Sequence, residues 1–190
     1  MDKIIQKIFA ESIAVKQKTL DANHRQIAQA AKVILACLHK GGKVLLFGNG
    51  GSAADSQHMA AEFIGRFQKE RRSIPAIALT TDTSILTALA NDYSYDIVFS
   101  RQIEGLGCAK DVAIGFTTSG NSKNVIEGIK TAKKKGLKTI SFSGHKGGTI
   151  ASLADVSLVV PSTNTARIQE SHICMAHVIC ELVENHFGKK

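Results

Sequence analysis

Two pairs of polar side chains carry the chemistry available to this chain. His58 and Glu62 stand four residues apart and share one face of any helix that holds them. Gln169 and His177 stand eight apart and share nearly the same face of a second helix. An imidazole beside a carboxylate can move protons as general acid and base, or hold a divalent cation. The same spacing also suits an ordinary surface ion pair, so placement has to decide. His58 and Glu62 directly follow an apolar run, Val44 to Phe47, and the turn Gly48-Asn49-Gly50-Gly51-Ser52. Glycines let a backbone approach an anion closely, and the free amides of a helix's first turn carry partial positive charge. Ser52 is the expected cap of the helix. The backbones of Gln169 and His177 lie about 12 Å apart along their axis, so both reach one ion only by leaning toward it from either side. His172 and His186 fall off that stripe and read as structural or exposed. His24, His39 and His145 carry no expected role.

A second cradle, Thr117-Thr118-Ser119-Gly120-Asn121-Ser122, gathers hydroxyls and amides at the start of a helix beginning near Asn124. It suits the dianionic end of a phosphomonoester. The two loops together describe a pocket for a phosphorylated sugar, rich in hydroxyl and amide donors and poor in aromatic platforms. Gly48-x-Gly50-x-x-Ala53 matches a dinucleotide fingerprint, but Arg66, Lys69 and Glu70 occupy the region where a strand-ending acidic residue is needed. With no Gly-Lys-Ser/Thr, a triphosphate P-loop is excluded.

Five short apolar runs must position these loops: Val44 to Phe47, Ala76 to Leu79, Val112 to Phe116, Thr139 to Phe142 and Val156 to Val160. Amphipathic stretches of helical length separate them, such as Val125 to Lys135, closed by Gly136. That alternation predicts a doubly wound α/β fold with a mostly parallel five-stranded sheet flanked by helices. Small hydrogen-bonding residues follow each run, at the carboxyl ends where open α/β sheets bind ligands. Residues 1–40 read as a preface of two amphipathic helices, 41–190 as the α/β core, and 1–190 as a single domain. The apolar preface, and a C-terminal helix from about Ile168 to His186, predict an oligomer.

The chain has 190 residues, of which 44% are apolar and 21% charged, enough for a proper core. Its formal charge is +8, with lysines clustered at 130–138 and a basic group at Arg66, Lys69, Arg71 and Arg72. No tryptophan, 5% aromatics and no zinc-finger spacing argue against nucleic-acid binding. Basic charge beside a phosphorylated substrate explains the excess equally well. The four cysteines lack Cys-x-x-Cys spacing and read as reduced thiols. Neither a signal peptide nor a membrane-spanning run is expected, which makes the cytoplasm the default location.

Several motifs occur together and in order: Gly48-Asn-Gly-Gly-Ser-Ala-Ala-Asp55, His58-x-x-x-Glu62, Leu79-Thr-Thr-Asp-Thr-Ser84, Ala90-Asn-Asp92, Thr118-Ser-Gly-Asn-Ser122, Gly147-Gly148, and Arg167-Ile-Gln-Glu170 with His177. In these the chain resembles the sedoheptulose 7-phosphate isomerases, or phosphoheptose isomerases, of the sugar isomerase (SIS) domain superfamily. The resemblance implies a homotetramer with interfacial active sites and one zinc per subunit, held by His58, Glu62, Gln169 and His177. It implies a sugar-phosphate pocket lined by Asn49, Gly50, Gly51, Ser52, Glu62, Asn91, Asp92, Thr117, Thr118, Ser119, Ser122 and Gln169. It supports Glu62 and His177 as the catalytic acid/base pair for converting sedoheptulose 7-phosphate to D-glycero-D-manno-heptose 7-phosphate, the first step toward nucleotide-activated heptose. Which of the two takes the carbon-bound proton is left open. The alternative in the same superfamily is a non-catalytic protein that binds the bacterial replication initiator or senses sugar phosphates.

Overall fold

A computed structural model describes residues 1–187. Five strands form one sheet in the order β2-β1-β3-β4-β5: β1 (Val44–Gly48), β2 (Ala76–Ala78), β3 (Val112–Thr117), β4 (Lys138–Gly144) and β5 (Val156–Val160). Every neighbouring pair is parallel. The helices connecting them are α2 (Gly51–Ile64), α3 (Thr83–Asp92), α4 (Val98–Leu106), α5 (Lys123–Lys134) and α6 (Gly148–Leu153). The chain opens with α1 (Asp2–His39) and ends with α7 (Thr165–Phe187).

The alternation of side chains along each strand sorts the core into two layers. Val44, Leu46, Val112, Ile114 and Phe116 pack toward α1, α2 and α7 through residues such as Ile34, Met59, Phe63 and Ile179. Leu45, Phe47 and Ala113 point the other way, toward α4, α5 and α6 through Ile103, Val125, Ile129 and Ile150. β1, β3 and all but the first residue of β4 are buried, as strands covered on both faces must be.

Strand order reverses between β1 and β3, since the chain moves from β1 outward to β2 and then returns to the other side. Such a switch point opens a crevice at the carboxyl ends of its two strands. Gly48 is in register with Phe116, so the glycine turn after β1 and the hydroxyl loop after β3 stand side by side at that crevice.

Two expectations need correction. The N-terminal preface is one helix of 38 residues, not two. No glycine or proline interrupts residues 1–40, and the polar residues between Val15 and Ile27 are absorbed within the helix. Thr19 Oγ1 donates to the Val15 carbonyl at 2.8 Å, and Asn23 Nδ2 to the Thr19 carbonyl at 2.9 Å. Asn23 also bonds β5, donating to the Val159 carbonyl and accepting from the Val159 amide, both at 2.9 Å. Ser52 does not cap α2. Gly50, at φ 54°, holds the cap position without a side-chain bond, which starts the helix earlier and leaves Ser52 buried in its first turn.

Candidate active site

α2 and α7 set the geometry. The main chain of Gly51 has the Gln169 amide packed on it so closely that a Cβ there would lie 2.3 Å from Gln169 Nε2. Seven residues further along α2, His58 Nε2 lies 2.9 Å from Nε2 of His177, which is eight residues past Gln169. The two helices therefore run side by side in the same direction, and this aligns both polar stripes level by level. His58 Nε2 is also 3.2 Å from Glu62 Oε1, one turn on. His58, Glu62 and His177 thus offer three ligand atoms that lie within 4.8 Å of one another. His58 is about half exposed and Glu62 about a fifth, so the cluster is open to a ligand. Gln169 stands at the glycine turn, two helical turns before His177.

Asp55 lies one turn before His58 on α2. Burial pushes its carboxyl up to about 6, against the pull of the His58 charge, and its Oδ2 has no hydrogen-bond partner. A neutral carboxylic acid next to the cluster is the result at mildly acid pH.

The second cradle folds onto itself. Thr117 Oγ1 lies 2.8 Å from Ser122 Oγ and 3.3 Å from Ser119 Oγ, and Ser119 Oγ accepts from the Asn121 amide at 3.1 Å. Gly120 at φ 73° makes the turn, and a Cβ there would come 2.1 Å from the Gly147 carbonyl oxygen. The two cradles are joined by reciprocal amides: Asn49 Nδ2 donates to Asn124 Oδ1 at 2.9 Å and Asn124 Nδ2 to Asn49 Oδ1 at 2.8 Å. Below them His172 is fully buried against the rings of Phe116 and Phe142. Burial pushes its imidazole down to about 4, partly offset by its bond to the Ser143 carbonyl at 3.0 Å.

Of the other residues expected at the site, Asn91 and Asp92 end α3 in an exposed position, where Asn91 Nδ2 donates to Asp92 Oδ1 at 2.9 Å. Within one chain their polar atoms face solvent. His186, read as structural or exposed, is exposed and lies 3.1 Å from Nε2 of His39. Asn121 stands in the expected cradle and Asn124 at the start of its helix, but neither side chain carried an expected role. Asn121 Oδ1 accepts from both the amide and the hydroxyl of Thr149, tying the hydroxyl loop to α6. An asparagine directly after the turn glycine was the available signal. A cavity of about 920 Å³ opens beside that loop, lined by Ser119, Asn121, His145, Lys146 and the first helix.

A glycine turn and a hydroxyl loop thus stand at the switch point of a five-stranded parallel sheet, with a His-Glu-His cluster further along α2. Residues 8–144 match the SIS domain model, and the chain belongs to that family. Within it the chain is a member of the phosphoheptose isomerases. It is 58% identical over 180 residues to the phosphoheptose isomerase of Aquifex aeolicus, covering 95% of this chain and 94% of that one. It is 48% identical to that of Helicobacter pylori strain P12 over 100% of this chain and 99% of the other. The solved phosphoheptose isomerase of Neisseria gonorrhoeae superposes with a TM-score of 0.92 at 46% identity, covering 97% of this chain and 98% of that one.

Proposed function

We propose that the chain interconverts sedoheptulose 7-phosphate and D-glycero-D-manno-heptose 7-phosphate. It does so with Glu62 and His177 as acid/base groups and the 117–122 loop as phosphate cradle. The observation that carries this reading is the joining of His58, Glu62 and His177 into one cluster by two parallel helices, of which α2 starts at the switch point beside the hydroxyl loop.

Ketose-to-aldose conversion removes a proton from C1, moves a proton from the C1 oxygen to the C2 oxygen, and delivers a proton to C2. One group must serve carbon and another must serve oxygen. Glu62 and His177 approach the sugar from different helices, so each can face a different atom of the enediolate. Asn49, Gly50, Gly51 and Ser52 frame the sugar, with Gln169 against Gly51 as the wall on the α7 side. Thr117, Thr118, Ser119 and Ser122 hold the phosphate away from the reacting end.

His58, Glu62 and His177 also suit a zinc ion. Ligands on tetrahedral zinc lie about 3.3 Å apart, and the 2.9 Å and 3.2 Å separations found here are close to that edge. Gln169, the fourth ligand the family resemblance adds, reaches that ion only if its amide leaves its seat on Gly51. Bound there, zinc supplies Lewis-acid polarisation of the substrate carbonyl. Exposed apolar side chains along α1, namely Ile4, Ile5, Ile8, Phe9, Ile13 and Leu20, supply the face for a homotetramer. An interface there gives Asn91 and Asp92 a route into a neighbouring pocket. None of the described helices is long and apolar enough to cross a membrane, and we place the enzyme in the cytoplasm. One domain spanning 1–190 accounts for the single sheet. The initiator-binding or sensor alternative is not favoured, given relatives that are isomerases along the whole chain.

The test is turnover of sedoheptulose 7-phosphate in deuterated water, followed by NMR, before and after chelation and zinc add-back. Heptose product with deuterium at C2, lost on chelation and restored by zinc, is expected. No turnover and no exchange in the zinc-loaded protein refutes the reading.

A further inference from the structure

We infer that Arg71 and Glu184 form a buried latch that sets the positions of Glu62 and His177, making both of them positioning residues of the isomerase site. The inference rests on the site reading above. It begins at the end of α2, whose last carbonyls have no partner within the helix. The chain turns at Gly65, runs through a segment without regular structure, and brings Arg71 back to that end. Arg71 Nη2 donates to the carbonyl of Glu62 itself at 2.6 Å, and Nη1 to those of Phe63 at 2.8 Å and Gly65 at 3.0 Å. A guanidinium is well placed there, since its fork reaches several carbonyls and its charge suits the helix C-terminus.

The partner comes from α7. Glu184 is seven residues past His177, two turns along the same face. Its Oε1 lies 3.3 Å from Arg71 Nε, and both side chains are almost wholly buried, at 1% and 2% exposed. Arg71 Nε is out of line for a hydrogen bond, so this contact is the attraction of two charges. Oε1 accepts from the Phe67 amide at 2.8 Å, and Oε2 from the amides of Gln68 and Lys69 at 2.6 and 2.9 Å. Burial alone raises the Glu184 carboxyl. The three amides and Arg71 outweigh it and hold the group below the usual carboxylate range.

The latch reaches both acid/base residues by separate routes. Through the α2 carbonyls it fixes the backbone of Glu62. Through the 66–70 segment it fixes Phe67, whose ring lies 5.5 Å from the His177 imidazole. An apolar pair of equal volume stabilises a core as well as a buried ion pair does. It cannot hold three helix-end carbonyls and three loop amides in register at once, and that register is the spacing of the cluster.

The experiment compares Arg71→Lys, Arg71→Met and Glu184→Gln with Asp111→Asn, a buried carboxylate just before β3 that bonds Lys43 and touches neither α2 nor α7 through a hydrogen bond. It reads kcat, KM, melting temperature and zinc affinity by chelator competition. The latch variants are expected to lose about 10–100-fold in kcat and to bind zinc more weakly. KM should move by less than about threefold, because the phosphate cradle is untouched. Asp111→Asn should lose melting temperature while the folded protein keeps its kcat. Folded latch variants that keep kcat and zinc affinity, losing only melting temperature, overturn the inference. If Arg71→Met fails to fold, Glu184→Gln, which keeps the side chain's shape, decides. If the wild type does not isomerise, the proposed function fails by itself, and the latch stands or falls on zinc affinity alone.

Discussion

The two edges of the sheet use the same kinds of polar residue in opposite ways. At the amino edge, Asp111 accepts the Lys43 amide at 3.0 Å, the Lys43 ammonium at 2.6 Å and the Cys108 amide at 2.8 Å. Asp155 accepts the Thr139 amide and hydroxyl at 2.8 and 3.0 Å. At the carboxyl edge, the hydroxyls of Thr117, Ser119 and Ser122 bond chiefly one another, and further along α2 His58 likewise meets other side chains, Glu62 and His177. A carboxylate bonded to backbone amides holds the fold and has little capacity left for a ligand. Side chains bonded to one another can exchange that contact for a substrate. The bonding partner, not the residue type, therefore separates the two sets of polar groups.

The sharpest way to break this contrast is one substitution in each set. Glu62→Gln should lower kcat by about a thousandfold, the usual range for a lost general base, with a melting temperature close to wild type. Turnover by NMR together with calorimetry reads both. Asp111→Asn should do the reverse, costing about 3 kcal/mol in denaturant unfolding because it breaks a buried pair, while kcat per folded molecule is kept. If Asp111→Asn instead removes activity from folded protein, the division between the two sets is wrong.

The buried floor between cradles and core sharpens the comparison through pH. His172 titrates at about 4 when folded and near 6.5 when unfolded, so the folded state binds fewer protons between those values. The stability tied to its neutral form is fully present above about pH 6.5 and falls by about 3 kcal/mol as the pH drops to about 4. Asp55, raised to about 6 from 3.8, acts with the opposite sign over much of that window. Unfolding curves of wild type and His172→Gln should therefore converge as the pH falls from 6.5 to 4. A constant gap between them rules out His172 as the titrating group. The smallest effect is expected in the cradle itself. Ser122→Ala removes one of several donors and should raise KM, and weaken inorganic phosphate, by about tenfold at unchanged kcat.

Much of the fold was legible because its signals are local. The strand runs end in the expected places to within a residue or two, and β5 matches Val156–Val160 at both ends. α7 extends three residues upstream of the expected Ile168. His58 and Glu62 were legible for the same reason, as neighbours on one helix behind a glycine turn. The meeting of His58 with His177 was not, since the parallel run of α2 beside α7 is a tertiary fact that no spacing records. Arg71 read only as one of a basic group, and Glu184 did not stand out at all. A charge pair 113 residues apart in sequence is invisible until the chain is folded. The split of α1 failed for the converse reason. Thr19 bonds the Val15 carbonyl within the helix, but Asn23 bonds Val159 on β5, a partner that sequence alone does not bring near.

Asn23 has a further consequence for how copies of this protein can meet. β5 is an outer strand of the sheet, and Val159 offers an amide and a carbonyl on its free side. Unpaired groups of that kind are a template on which another chain can add a strand. A single carboxamide on α1 occupies both, so a helix lies where a sixth strand would otherwise grow. Self-association by edge-to-edge sheet extension, the usual route from open sheets to fibres, is blunted at this border, and contact between copies is directed to helical faces.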